Sequence, residues 1–389
     1  MSEKSTFGSD VPPLPSDAAV LSESLGEDKS DGTKPFSCGG CGSELHYEPG
    51  TDHLACPYCG HQNTIELAGE AIEELDYHAM LNEIAASEQT VEMEFVRCNG
   101  CGARVDRPEH LDAFDCPFCG DHLVVAGEKT RIIKPKSLLP FLFKQKEARG
   151  SFEQWIKGLW FAPNKLKQYA RADDAFKGVY LPHWTYDSDT ITEYTGQRGE
   201  DYWTTESYTT MENGKSVRKT RRVKKIRWYP ASGTVYVPFN DVLVVASKSL
   251  PEKYVHELEP WDLDQLVSYQ DEFVKGFVSE CYQVDLPSGF ERAKELMEPN
   301  IRSAIRSDIG GDHQRISWTH SQYNDITFKH VLLPVWMSAY RYNEKVYRVV
   351  VNARTGEVQG ERPWSWVKIT LAVLVTLAIA GGIFLMFQS

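Results

Sequence analysis

Hydrophobic and polar residues alternate in three different ways along this chain. From Ile369 to Phe387 the sequence is continuously apolar, 19 residues without a charge. At ~1.5 Å of rise per residue the run spans ~28 Å, close to the thickness of bilayer hydrocarbon. Eleven of these residues are Leu, Ile, Val or Phe, each favouring insertion by ~0.3–0.6 kcal/mol. The pattern predicts one transmembrane helix over 366–387. From Val179 onward the chain is instead dense in Thr, Tyr, Trp and Val, which predicts strands. Asn213-Gly214 is a hairpin signal, because both residues tolerate positive φ, and it places strands over Tyr202–Met211 and Ser216–Trp228. Further strands are expected at Val242–Ala246, Val331–Tyr342 and Val346–Asn352, with a turn at Thr355-Gly356.

Helical patterns are fewer. Ala, Leu, Glu and Met content predicts a helix near Ala68–Ala86. Ser151 is placed to cap a helix through Phe152, Trp155, Ile156 and Leu159. A third helix near Phe290–Glu298 should be interrupted by Pro299 and resume over Ile301–Ile309.

With 389 residues the chain exceeds one ordinary core. The reading is a multidomain α+β protein. Residues 1–35 form a disordered acidic arm without a signal-peptide pattern, followed by a zinc ribbon over 36–65, an acidic helical linker over 66–95 and a second ribbon over 96–126. A β-rich α+β cytosolic domain covers 127–363. Leu181-Pro182-His183-Trp184 is echoed by Leu333-Pro334-Val335-Trp336, so this part is either one domain or two similar halves. Charge divides the chain as well. Residues 1–126 hold 6 basic and 24 acidic residues, a net of −18, and the remainder nets +5.

Cysteine spacing supplies the clearest chemistry. Cys38-x-x-Cys41-Gly42 and Cys56-Pro57-x-Cys59-Gly60 are repeated 60 residues later as Cys98-x-x-Cys101-Gly102 and Cys116-Pro117-x-Cys119-Gly120, with 14 residues between the pairs both times. A duplicated module is the simplest account. Four thiolates in two C-x-x-C knuckles suit tetrahedral Zn²⁺, and the C-P-x-C-G knuckle leaves iron as the alternative. The expected ligands are Cys38, Cys41, Cys56 and Cys59 for one ion, and Cys98, Cys101, Cys116 and Cys119 for the other. With every position filled by protein, both ions would be structural. Reduced thiols point to the cytosol. The ninth cysteine, Cys281, reads as a small buried apolar residue. His256-Glu257 lacks the second His of a zinc protease motif, no G-x-S-x-G occurs, and Gly214-Lys215-Ser216 lacks the leading Gly of a P-loop. No enzyme is expected; a pocket joining His183, Asp187 and another titratable group would be the place to find one.

Lys215–Arg227 carries eight basic residues in thirteen with no acid. Solvent, anionic lipid headgroups or nucleic acid could each face it. The short path from Gln359 to Trp366 favours lipid, since it holds the β-rich domain near the bilayer. The acidic ribbon half argues against nucleic acid. Arg362 and Lys368 precede the apolar run, and only Gln388 and Ser389 follow. The expectation is therefore a tail-anchored, single-pass protein of the bacterial inner membrane with its bulk in the cytosol. Ala372, Thr376 and Ala380 form a small-residue row that would permit a homo-oligomer.

The double C-x-x-C-G…C-P-x-C-G array resembles bacterial membrane proteins with transcription-factor-IIB-type zinc ribbons. The resemblance extends through Gly178–Trp184, Asp241–Ser247, Leu332–Trp336 and Val351–Gly356. Members are often labelled primosomal protein N′, or replication factor Y, a helicase; that label implies a Walker motor, and no such motif occurs here. The family is also similar to zinc-ribbon membrane proteins associated with phage-shock and flotillin-like envelope-stress proteins. The resemblance implies an adaptor or scaffold that recruits protein partners, with replication- or transcription-linked nucleic-acid binding as the alternative.

Overall fold

Thr, Tyr, Trp and Val fill so much of 177–245 and 313–342 that the strands they form far exceed ordinary lengths of about 5–6 residues. In the computed structural model, which describes residues 36–66, 72–86, 90–106, 113–124, 128–163, 176–212, 214–342 and 345–388, three strands dominate. The expected acidic arm, parts of the acidic linker and Asn213 lie outside the described residues. In chain order, ribbon 1 contributes β1 (His46–Tyr47), β2 (His53–Ala55) and β3 (Gln62–Thr64); β4 (Leu75–Asp76) and helix α1 (Tyr77–Ala86) follow. Ribbon 2 comprises β5 (Thr90–Arg97), β6 (Arg104–Asp106), β7 (Ala113–Asp115) and β8 (His122–Val124), and β9 (Glu128–Ile133) pairs back onto β5. Then come β10 (Ser137–Leu138), α2 (Gln145–Gly158), β11 (Lys177–Glu212) and β12 (Lys215–Val245). Short elements α3 (Glu252–His256), β13 (Val267–Ser268), α4 (Asp271–Val274) and β14 (Val278–Ser279) lead into α5 (Leu286–Ile309). The chain closes with β15 (His313–Tyr342), β16 (Lys345–Asn352), β17 (Val358–Gly360) and α6 (Trp366–Gln388).

Strand β11 is central. It runs antiparallel to β12 on one side and to β15 on the other. Leu181 lies opposite Leu333, so the two similar Leu-Pro motifs sit on adjacent strands of one nine-stranded sheet. The strands read as Tyr202–Met211, Ser216–Trp228 and Val242–Ala246 are pieces of two strands 36 and 31 residues long. Pairing of β11 with β15 ends at Gly199↔His313. Beyond it, among the described residues, Glu200–Glu212 pairs only with Lys215–Arg227, a two-stranded arm ~40 Å long at ~3.3 Å per residue. Gly214, at φ 74°, turns its tip.

Both faces of the inner half of β11 are covered, which is why Val179–Ser188 reads as an unbroken buried run. Even-numbered side chains face one side. Tyr180 packs with ribbon 1 and α2, and Trp184 and Tyr186 pack with α1 and α5. Odd-numbered Val179 and Leu181 face ribbon 2, together with Val335, Met337 and Val350.

Three helices differ from the sequence pattern. The first begins at Tyr77, and its expected start near Ala68 falls at residues outside the description. The second starts at Gln145, where the Lys144 amide donates to Glu147 Oε2 at 2.7 Å, the acidic half of a capping box; Ser151 is inside the helix. The third, α5, runs through Pro299 unbroken. Asp285 caps it by accepting from the Ser288 amide at 2.8 Å. Its buried stripe of Phe290, Ala293, Met297, Ile301 and Ile305 spans the proline, and the packing offsets the lost hydrogen bond. Trp184 Nε1 and Tyr186 Oη donate to the carbonyls of Val284 and Leu286 at 2.9 and 2.7 Å, fixing the start of α5 on the sheet. Helix α6 is long and apolar enough to cross a membrane, and none of its span is buried against the body.

Gly289 lies where α5 passes close over Trp184 and Tyr186 of β11. A Cβ there would stand 2.4 Å from Tyr186 Oη and 2.9 Å from Trp184 Cδ1. Gly289→Leu should destabilise the body by about 1–3 kcal/mol, read as a lowered denaturant midpoint of the full-length protein in detergent. An unchanged midpoint would mean that α5 does not pack on β11 in this way.

Candidate metal centres

Each ribbon builds its centre from two tight knuckles. In ribbon 1 the Cys38 amide donates to Ser43 O at 2.7 Å and the Gly42 amide to Cys38 O at 2.8 Å; Cys56 and His61, then Gly60 and Cys56, repeat this at 2.8 and 3.0 Å. In ribbon 2, Cys98 to Ala103, Gly102 to Cys98, Cys116 to Asp121 and Gly120 to Cys116 span 2.8 to 2.9 Å. Gly42, Gly60, Gly102 and Gly120 all sit at φ between 72° and 78°, a conformation costly for residues with a Cβ. That requirement explains the glycine after every second cysteine.

The knuckles bring all eight predicted residues together in two groups. Within each, the four Sγ atoms lie within 4.8 Å of one another. Cys38–Cys59 and Cys41–Cys56 measure 3.4 and 3.5 Å, and Cys98–Cys119 and Cys101–Cys116 measure 3.5 and 3.6 Å. A tetrahedron with metal–sulfur bonds of ~2.3 Å has edges of ~3.8 Å. The donor sets therefore fit one tetrahedrally coordinated metal ion each. Without a cation the thiols conflict. A hydrogen bond from Cys116 leads in pulling Cys101 down to about 5, while the same contact pushes Cys116 up. A dipositive ion would relieve that conflict by favouring all four thiolates.

The two centres differ in surroundings. The aromatic residue of the second knuckle is Tyr58 in ribbon 1 and Phe118 in ribbon 2; Tyr58 is 81% exposed and Phe118 0%. Phe118 belongs to the core shared with Val179, Leu181 and Val335, and Arg348 Nε holds its carbonyl at 3.1 Å. Ribbon 1 is joined to the body elsewhere. Tyr47 packs on Phe273 with ring centroids 5.1 Å apart, its hydroxyl lies 2.8 Å from Thr51 O and 3.3 Å from Phe141 O, and the Gly50 amide donates to the Phe141 carbonyl at 2.9 Å. The first ribbon thus clasps the sheet with its β-hairpin and leaves its knuckle outside. The second buries its knuckle.

One residue at this junction had no signal in the sequence. Glu280 is buried where β14 bridges to Val105 of ribbon 2. Its Oε1 accepts from Ser249 Oγ and, at 2.9 Å, from Gln283 Nε2, while Oε2 is buried without a hydrogen-bond partner among the described residues. Burial pushes its carboxyl up to about 7. Its neighbour Cys281 is buried, with a thiol raised by burial to about 12, as a structural cysteine should be. His183 and Asp187 have separate hydrogen-bond partners. The His183 Nδ1 meets Leu181 O at 3.0 Å, whereas Asp187 accepts from the Asp241 amide and, at 3.2 Å, from Thr327.

The basic segment lies on the two-stranded arm. Much of its charge is matched across the hairpin: Lys224 pairs with Asp201 at 2.5 Å, Lys225 with Glu206 at 2.7 Å, and Lys219 with Glu212. Arg222 and Arg227 lie over Trp203 and Tyr202 at 5.2 and 4.8 Å. Roughly 70 Å of strand, at ~3.3 Å per residue, separates this arm from Lys177, the end of β11 near β15, β16 and the approach to α6.

These features define a β-rich α+β protein with two four-cysteine centres near its N-terminal end and one apolar C-terminal helix that could serve as a membrane anchor. The chain is similar to the uncharacterized protein YdjG of Bacillus subtilis (strain 168), 26% identical over 351 residues, which is 90% of this chain and 95% of that protein. No family model and no solved structure matches it.

Phe118→Ala should cost about 3–5 kcal/mol of stability, and Tyr58→Ala within about 0.5 kcal/mol of nothing; chemical denaturation of both variants at equal metal content checks this. Glu280 gives a pH signature. Its folded pKa is raised above the ordinary 4.5, so the folded chain keeps a proton that the unfolded chain has released. Stability from this group therefore falls as pH rises between about 5 and 8, by roughly 3 kcal/mol in all. Glu280→Gln should flatten the difference between unfolding at pH 6 and pH 8; equal slopes in both proteins would contradict it.

Proposed function

We propose that this protein is a zinc-dependent, non-enzymatic adaptor held in the bacterial cytoplasmic membrane by α6, with its body in the cytosol. Arg362 and Lys368 at the start of α6 support that orientation, and eight reduced cysteines support a cytosolic setting. Zinc is the ion that suits two closed Cys₄ sets. Both ions are structural.

The observation that carries the adaptor reading is the arm Glu200–Arg227. It extends past its neighbouring strand, is solvated on both faces, and presents Trp203 at 58% exposure and Tyr208 at 42%. A bare two-stranded ribbon is marginally stable in water, so exposed aromatics and two open edges on it are explained by capture of a partner. The exposed Tyr58 knuckle is a second recruiting surface. The resemblance to ribbon proteins that accompany phage-shock and flotillin-like proteins supports a protein partner in envelope stress. Arginines stacked on Trp203 and Tyr202 favour a second reading, nucleic-acid binding, although pairing of Lys219, Lys224 and Lys225 with carboxylates weakens it. The row Ala372, Thr376 and Ala380 supports close packing of a second copy in the membrane. The Thr376 hydroxyl donates to Ala372 O at 2.9 Å within the helix, so that row offers shape rather than a hydrogen bond.

Crosslinking and co-purification from native membranes tests the reading, comparing wild type with a Trp203→Ala, Tyr208→Ala double variant and with Tyr58→Asp. A protein partner should be lost from at least one variant while metal content and melting stay unchanged. Identical partners in all three preparations would sink the adaptor reading at these surfaces, and arm-dependent recovery of nucleic acid would replace it with the second.

A further inference from the structure

The segment that leaves α2 exposes two large aromatic residues, Trp160 at 78% and Phe161 at 36%. The buried face of α2 is made by Ala148, Phe152 and Ile156. Their backbone is tied to the beginning of α6. The Ser365 amide donates to Phe161 O at 2.8 Å, and Lys368 Nζ donates to Trp160 O at 3.2 Å and to Ala162 O at 2.8 Å. Trp364 and Trp366 are beside this joint, 53% and 78% exposed, with the Arg362 guanidinium 4.6 Å from the Trp364 ring. Three exposed tryptophans and a phenylalanine are thus gathered around the first turn of α6. Two of the four come from a segment some 208 residues earlier in the chain.

Tryptophan is favoured at the headgroup level of a bilayer, where its ring is partly buried and its indole N–H stays wet. A lysine at the edge of a membrane span ordinarily extends toward headgroups or water. Lys368 instead places its ammonium on two loop carbonyls. Backbone carbonyls brought to a membrane boundary lose water and need such partners, and a charged donor is a strong one. The latch therefore both positions the aromatic segment at the depth of the first turn of α6 and satisfies its backbone there.

We infer that Trp160 and Phe161 form a second membrane contact, seated at the headgroup–acyl boundary of the leaflet that α6 enters, with a phospholipid bilayer as the occupant of this surface. The inference rests on the reading of α6 as a membrane anchor. One helix alone leaves a body free to swivel about its linker. A second contact latched to that helix fixes the tilt of the sheet, and so the direction in which the arm extends.

Full-length protein labelled with 5-fluorotryptophan, in nanodiscs of phosphatidylcholine and phosphatidylglycerol, tests this by ¹⁹F NMR. Trp160→Phe, Trp366→Phe and Trp203→Phe serve only to assign three lines in the wild-type spectrum. A nitroxide near the headgroup end of the acyl chain should broaden the Trp160 and Trp366 lines several-fold more than that of Trp203. A water-soluble gadolinium chelate should give the opposite order. If Trp366 responds to the lipid nitroxide and Trp160 follows Trp203, the second contact is overturned while the anchor stands; a partner protein or another copy then covers that surface. If Trp366 also responds to the chelate alone, the anchor reading falls and the second contact with it.

Discussion

The buried inner half of β11 is the constraint on which the rest of the structure depends. Val179–Ser188 carries apolar or aromatic side chains toward both faces of the sheet, so neither face can be left to water. A domain of this size would normally cover a sheet with helices. Here α5 covers part of one face, and the ribbons supply much of the rest: ribbon 1 beside Tyr180, ribbon 2 against Val179 and Leu181. Modules this small cannot hold their shape by burial alone. A metal ion held by each four-cysteine centre would firm that cover, and metal affinity would then be part of the stability of the whole body.

The same motif is used in two ways. The ribbons share knuckle hydrogen bonds, glycine conformations and sulfur geometry almost atom for atom. One exposes its knuckle aromatic and the other buries it beneath Arg348 and the sheet. A structural clamp and an exposed knuckle can thus arise from one local fold, because the chemistry of the centre does not depend on what its outer surface touches. The charge asymmetry takes on a similar meaning. The acidic part of the chain meets the body at β15 through Glu74, whose carboxylate pairs with the buried Lys329 at 3.0 Å.

Local chemistry was legible in the sequence and long-range geometry was not. Cysteine spacing with its following glycines located all eight candidate ligands, since a knuckle closes within five or six residues. The apolar run located α6 to within a residue at its end, because length and hydrophobicity alone decide it. Strand lengths were missed: polar and aromatic residues on an arm wet on both faces show no periodic boundary, so only fragments of β11 and β12 could be seen. Pro299 suggested a break that the buried stripe of α5 overrides. Glu280 and Trp160 carried no signal at all, since each matters only through residues distant in the chain.

The central claim, that metal-held ribbons keep the sheet closed, is tested most directly by hydrogen exchange of the full-length protein before and after metal removal by a chelator. The account predicts that amides of Val179–Tyr186 and Val331–Met337 lose protection together with those of the ribbons. Loss confined to the cysteine knuckles, with the sheet still protected, would contradict it.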